Sequence, residues 1–171
     1  DGVRDVVADF AALRPNCQIL LCPVDNPSSF GVAELGPDGR IVRLVEKPKV
    51  PPSNLALVGV YLFDQTIGEA IDAIRPSARG ELEITDAIQF LVEAGRHVRA
   101  SVVNGWWKDT GSKADLLAAQ ELVIADMAHS IEGEVAGGRI EGAVHVGRGS
   151  RLVDCEVTGP VVIGDGAQLT R

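Results

Sequence analysis

An α/β sheet followed by a parallel β-helix is the fold class this sequence predicts, on three observations. Mostly apolar runs at Cys17–Val24, Leu57–Phe63 and Val98–Val103 alternate with segments of helical periodicity, which is the pattern of an α/β domain. The first run, CQILLCPV, lies between turn signals and suits a strand buried on both faces. From Ile140 the grammar changes. An aliphatic residue recurs at positions 140, 146, 152, 157, 163 and 169, and glycine follows at 147 and 164. Such a step stacks short coils, with aliphatic side chains inward and glycines at corners.

Taken in order, Val3, Val6, Val7, Phe10 and Leu13 share one helical face, and Pro15-Asn16 ends that helix. The strand at Cys17–Val24 follows, then a loop at Asp25–Ser29. Phe30–Leu35 and Ile41–Val45 read as a hairpin around Pro37-Asp38-Gly39, where Gly39 can take a positive φ. Pro48 ends the second strand and biases Lys47 toward an extended backbone. Glu46 and Lys47 are thereby presented at a strand end, the place where open α/β sheets bind ligands. After the loop Pro51–Asn54, the strand Leu57–Phe63 is interrupted by Gly59, which lets a ligand or backbone come close.

Asp64 is expected to cap a helix running to Ile74. The loop Pro76–Gly80 and the tripeptide Glu81-Leu82-Glu83 lead into a helix that turns Ile84, Ile88, Leu91 and Val92 inward and ends at Gly95. Val98–Val103 is a strand, and the loop Asn104–Gly111 holds both tryptophans. Ser112 and Asp115 have capping-box spacing, opening a helix to about Met127 with Leu116 and Val123 among its apolar positions.

With 171 residues, 46% hydrophobic and 23% charged, the composition is globular. A formal charge of −8 excludes the basic face that nonspecific nucleic-acid binding needs. No apolar run is long enough to span a bilayer, so no membrane partner is expected. Cys17 and Cys22 are five apart on one strand and point to opposite faces, so with Cys155 they read as three reduced thiols in a cytoplasmic protein. No Cys/His cluster has zinc spacing. The opening at Asp1 and the uncapped stop at Arg171 read as a piece of a longer protein.

Five strings carry a resemblance. FGVAEL, LVEKP, LVGVYLF, SARGELEITDAI and GWWKDTG occur in this order, and over about residues 1–128 they resemble the second half of the glucose-1-phosphate thymidylyltransferases. GELEITD and WKDTG are the most specific of them. The tail resembles the hexapeptide repeats of the longer family members. The resemblance implies part of a Rossmann-like nucleotidyltransferase sheet at 1–128, the C-terminal, sugar-phosphate-binding part of that domain. It implies the start of a left-handed parallel β-helix at 129–171.

It also implies a reaction. A phosphate oxygen of glucose 1-phosphate attacks the α-phosphorus of dTTP, pyrophosphate leaves, dTDP-glucose forms, and Mg²⁺ holds the phosphates. Such chemistry needs positioning and charge neutralisation more than a covalent group. By this resemblance Lys47 contacts phosphate as a point charge, and Glu46 and Glu81 accept hydrogen bonds from sugar hydroxyls. The Gly31 backbone approaches the hexose, Tyr61 lines the sugar pocket, Arg79 lies near the diphosphate, and Trp107 walls the site. Asp109 is one of two metal carboxylates, suited to a hard cation. Lys47 and Asp109 are the catalytic pair, expected to converge on one anionic ligand.

There are departures. Val58 precedes Gly59 where some members carry Thr. The family's glycine-rich nucleotide loop and its Leu-Gly-Asp-Asn motif, with the other metal carboxylate, have no counterpart in this sequence. The chain alone is therefore expected to be inactive. The alternative is a noncatalytic sugar-phosphate-binding and oligomerisation module, since the family implies a homo-oligomer. The hexose contacts do not separate glucose from a close epimer.

Overall fold

The computed structural model describes residues 2–103 and 105–171. Asp1 and Asn104, the latter in the expected tryptophan loop, lie outside the described residues. The chain divides into two compact units, Asp1–Trp107 and Lys108–Arg171.

In the first unit, α1 (Gly2–Leu13) is followed by β1 (Cys17–Pro23), β2 (Gly31–Leu35), β3 (Ile41–Glu46) and β4 (Leu55–Phe63). Then come α2 (Ile67–Ala73), α3 (Ile84–Glu93) and β5 (Val98–Val102). The strands form one sheet in the order β3-β2-β4-β1-β5. It is mixed: β1 runs parallel to β5 and antiparallel to β4. The expected α/β class holds, and β1 is buried on both faces as its composition requires. Its residues Cys17, Ile19 and Leu21 pack with Ile88 and Leu91 of α3 and Ala70 of α2. Leu20 and Cys22 pack on the other face with Val6 of α1 and Val58 of β4. Cys17 and Cys22 therefore point apart, and all three cysteines are free.

Two local expectations give way to tertiary contacts. Lys47 is not extended but takes φ +40. Its N–H donates to the Phe30 carbonyl at 3.0 Å and Pro48 beyond it is buried. That anchoring offsets the steric preference a following proline imposes. Asp64 does not cap α2, whose N-cap is Thr66. Its carboxylate instead accepts from the Thr66 N–H at 2.9 Å and from Asn16 Nδ2 at 2.8 Å, holding the turn before the helix.

One other expectation is met. Gly95 ends α3 at φ +69 in a Schellman pair, Gly95 N–H to Val92 O at 3.0 Å and Arg96 N–H to Leu91 O at 2.9 Å. At Gly59 no close approach is seen among the described residues, since an added Cβ would meet nothing within 4 Å; its φ of +77 instead marks a bulge of β4, where Ile19 faces Tyr61 but Leu21 faces Leu57.

The second unit opens with α4 (Lys113–Ala125), started by the expected capping box between Ser112 and Asp115. Its apolar Leu116 and Val123 are exposed. Eight short strands follow: β6 (Ser130–Ile131), β7 (Glu134–Ala136), β8 (Arg139–Glu141), β9 (Val144–Val146), β10 (Arg151–Val153), β11 (Glu156–Thr158), β12 (Val161–Ile163) and β13 (Gln168–Thr170). They form three parallel sheets, β13-β10-β7, β11-β8 and β12-β9-β6. The periodic aliphatic residues meet in register, Ile140 with Val157, Val146 with Ile163 and Leu152 with Leu169. Val144, Val146, Leu152 and Ile163 form the buried centre. Parallel sheets of this kind are compatible with a β-helix. Among the described residues no helix is long and apolar enough to cross a membrane.

Candidate functional site

Segments far apart in sequence bring their polar side chains together in the first unit. Glu46, at the end of β3, is half-buried. Its Oε2 accepts a hydrogen bond of 3.2 Å from the Thr85 hydroxyl in the first turn of α3. Arg79, from the loop before α3, reaches Glu46 Oε1 at 3.4 Å, Glu81 Oε2 at 2.7 Å and Glu83 Oε1 at 3.6 Å. The Ser77 hydroxyl donates to Glu83 Oε1 at 2.7 Å.

Gly31 opens β2 directly against this group. A Cβ there would lie 2.5 Å from Thr85 Cγ2 and 3.0 Å from Glu46 Oε2. The need for glycine is thus imposed by the protein's own Thr85 and Glu46. Tyr61 stacks with Phe63 at 6.2 Å between ring centroids. Burial raises its phenol pKa above 10.0, and the charges of Glu46 and Cys17 raise it further.

Gly31, Glu46, Tyr61, Arg79 and Glu81 are therefore brought together. Three carboxylates surround one guanidinium, so acceptor capacity exceeds the donors present. That surplus suits a ligand rich in hydroxyl donors. Arg79, expected beside a diphosphate, is here engaged by carboxylates.

Glu83, Thr85 and Ser77 belong to the group but escaped the sequence reading. Glu83 occupies the N-cap position of α3 and is only 7% exposed. A first-turn acid is ordinarily a solvated partner of the helix dipole, which is how Glu83 reads in isolation. The available signal was the GELEITD string itself, whose alternate residues 81, 83 and 85 all turn toward Arg79 or Glu46. Asp86 is affected in turn: burial, and then the neighbouring charge of Glu83, raise its pKa above 3.8.

Lys47 is exposed beside Glu46, its backbone tied to Phe30. Phe30 in turn meets Trp107 edge-to-face, with centroids 5.4 Å apart and planes at 72°. Trp107 packs against the cluster of Val6, Leu20, Cys22 and Val58. A cavity of about 620 Å³ opens there, lined among others by Leu20, Val58, Val60, Val103, Trp106 and Trp107.

Asp109 belongs to the second unit and is exposed in the segment before α4. Its neighbour Lys108 pairs with Asp115 at 2.6 Å. The Lys108 hydrogen bond, with that of Ser112, lowers the Asp115 pKa. Among the described residues no group of three His, Cys, Asp or Glu side chains is placed to hold a metal.

The comparisons with known proteins agree with this geometry. The family model described as nucleotidyl transferase matches residues 1–126. A glucose-1-phosphate thymidylyltransferase of Streptomyces antibioticus is 48% identical over 171 residues, covering 99% of this chain and 48% of the relative. The low-salt glycan biosynthesis nucleotidyltransferase of Haloferax volcanii is 45% identical over 146 residues, 82% of this chain and 41% of that protein. A crystal structure from Bacillus anthracis, assigned as a glucose-1-phosphate thymidylyltransferase and holding a sucrose, matches with TM-score 0.65 and 36% identity. It covers 76% of this chain and 52% of its own. The chain spans about half the length of the curated relatives it matches. With the family model matching most of its length and two units folded as described, this chain belongs to the nucleotidyl transferase family.

Proposed function

We propose that this chain is the sugar-phosphate-binding, C-terminal half of a glucose-1-phosphate thymidylyltransferase, with the nucleotide-binding half of the enzyme outside it. One observation carries the reading. The carboxylates of Glu46, Glu81 and Glu83 gather around Arg79 over a glycine that leaves no room for a side chain. An acceptor-rich floor of that kind is what a hexose needs.

In this reading Glu46 and Glu81 accept hydroxyl hydrogen bonds from the sugar, and Tyr61 and Trp107 wall its ring. Lys47, at the rim, neutralises the sugar phosphate as its oxygen attacks the α-phosphorus of dTTP. The new P–O bond forms as the bond to the β-phosphate oxygen breaks, and pyrophosphate departs. Arg79 is free to move from its carboxylates toward phosphate once a sugar occupies them. Mg²⁺ supplies charge neutralisation on the phosphates when bound. This chain offers it one exposed carboxylate, Asp109, and a magnesium site commonly takes only one or two protein carboxylates beside substrate oxygens. The second unit is read as the start of a left-handed β-helix of hexapeptide repeats.

Glucose 1-phosphate should bind the isolated chain by calorimetry, and Glu46→Gln should weaken it about tenfold or more, the size of a charge-assisted hydrogen bond. The chain alone should release no pyrophosphate from dTTP and glucose 1-phosphate. Turnover by the isolated chain would overturn the assignment of half an enzyme. Absence of sugar-phosphate binding would overturn the site.

A further inference from the structure

Among the described residues Glu83 is the one charged residue that is buried. A carboxylate is costly to bury and persists inside a protein only where it is paired. Sugar hydroxyls do not account for it. The side chains of Glu46 and Glu81 are 20% and 60% exposed, against 8% for Glu83. A ligand in the open site therefore reaches the first two and not the third.

Ser77 is what holds Glu83. Its hydroxyl donates to Glu83 Oε1 at 2.7 Å and accepts the Arg79 N–H at 3.1 Å. Its carbonyl accepts the Gly80 N–H at 2.9 Å, and its own N–H donates to the Glu81 carbonyl at 2.8 Å. Gly80 takes φ +78 in this turn, a conformation that favours glycine. Ser77 thus closes residues 77–81 into a turn and ties that turn to the N-cap residue of α3. Arg79 rides on it. Its Nη1 lies 3.6 Å from Glu83 Oε1 and 3.4 Å from Glu46 Oε1, and its Nη2 lies 2.7 Å from Glu81 Oε2. The guanidinium is a rigid planar fork, so holding Nη1 sets where Nη2 points.

We infer that Glu83, clasped by Ser77, is a positioning residue that holds Arg79 for the phosphate of the sugar phosphate. When sugar hydroxyls take Glu46 and Glu81, those two carboxylates release the guanidinium. Glu83 lies beyond the sugar's reach, keeps Nη1 and leaves Nη2 to turn to a phosphate oxygen. Arg79 pivots on a buried charge instead of leaving its carboxylates altogether, so less side-chain freedom is lost on binding phosphate. The inference rests on the proposed sugar-phosphate site.

The test is calorimetry on the 171-residue chain, with glucose 1-phosphate titrated directly and glucose by competition against it. Glu83→Gln keeps the shape and an acceptor for Ser77 but removes the charge. It should weaken glucose 1-phosphate about tenfold and glucose by about twofold or less. Ser77→Ala should give a smaller split of the same sign, and Ser77→Thr, which keeps the hydroxyl, should restore the discrimination. In a chain already carrying Arg79→Ala, Glu83→Gln should bring no further loss, because residues that act through one group are not additive. Equal losses for both ligands, or a full loss in the Arg79→Ala background, would make Glu83 a structural support only and overturn the inference. Tighter glucose 1-phosphate binding by Glu83→Gln would also overturn it, since Glu83 would then compete for Arg79 instead of placing it. Should Glu83→Gln fail to fold by circular dichroism, the Ser77 pair decides by the same split. If the wild-type chain binds neither ligand, the sugar-phosphate site fails and the inference with it. If it binds glucose 1-phosphate and Glu83→Gln changes nothing, the site stands and the inference alone falls.

Discussion

The two units bury aliphatic side chains by different routes. In the second, each strand meets its equivalent about 17 residues on, as Ile140 meets Val157 and Val146 meets Ile163. In the first, partners come from anywhere. Glu46 and Thr85 are 39 residues apart and Gln18 and Ser101 are 83 apart. A repeat needs only its own period to specify contacts, so damage to one rung is felt by its neighbours. A mixed sheet needs long-range register, and that same mixing is what lets four separate segments, at Gly31, Glu46, Tyr61 and residues 77–85, supply one site.

The largest effect expected lies in the second unit. Gly138 has φ +78, and a Cβ there would sit 2.0 Å from the Cys155 carbonyl oxygen. Gly138→Ala should cost about 4 kcal/mol or more and remove exchange protection from 151–158. Protection that survives would break the picture of closely stacked coils.

Next come paired core deletions, Ile88→Ala in the first unit and Leu152→Ala in the second, both fully buried positions. Each should cost about 2–5 kcal/mol in denaturant unfolding. A Leu152→Ala loss well below that range would mean the aliphatic rungs are loosely packed.

Smaller, and aimed at the site, is Gly31→Ala. The added methyl meets Thr85 and Glu46 and should destabilise by about 1–3 kcal/mol. Glucose 1-phosphate binding should fall with it, and Thr85→Ser in the same chain should restore part of both by removing the methyl it strikes.

The smallest effects are those of pH and thiol chemistry. The Thr66 hydrogen bond chiefly lowers the Asp64 pKa below 3.8. Its stabilising effect is therefore complete above that value and lost as pH falls through the folded pKa. Asp86 runs the other way. Burial first, then Glu83, raises its pKa, so it favours the fold at low pH and that benefit is lost as pH rises through the raised value. Asp64→Asn should flatten the acid side of the stability profile, and Asp86→Asn should remove a decline above about pH 4. Burial, with the charge of Asp64 adding to it, pushes the Cys17 thiol up to about 12. A maleimide at pH 8 should label Cys155 in the second unit well before Cys17. Equal rates would mean that the first unit opens freely.

Much of the site could be read from strings. Glu46, Arg79 and Glu81 stand at positions where a strand end and a loop before a helix make polar groups available, and they do meet. Glu83 and Thr85 could not be told from an ordinary first turn, because burial of the N-cap acid depends on β3 packing over α3, where Gln89 Oε1 accepts from the Leu44 N–H at 2.8 Å. The backbone of Lys47 departs from its local expectation for a related reason. A proline's steric preference is local, whereas the hydrogen bond to Phe30 that overrides it comes from the strand paired alongside.

By itself the sequence determined what periodicity and composition can carry. These are the doubly buried β1, the α3 face and its glycine stop, the capping box of α4, and the six-residue step that sets which aliphatic residues stack. Each follows from interactions within a few residues or from a repeat that counts itself. Tertiary structure alone decided the strand order, the antiparallel insertion of β4 between β2 and β1, and the convergence of residues 31, 46, 61, 79 and 81. Those depend on which distant backbones share hydrogen bonds, and no local propensity encodes the choice of partner.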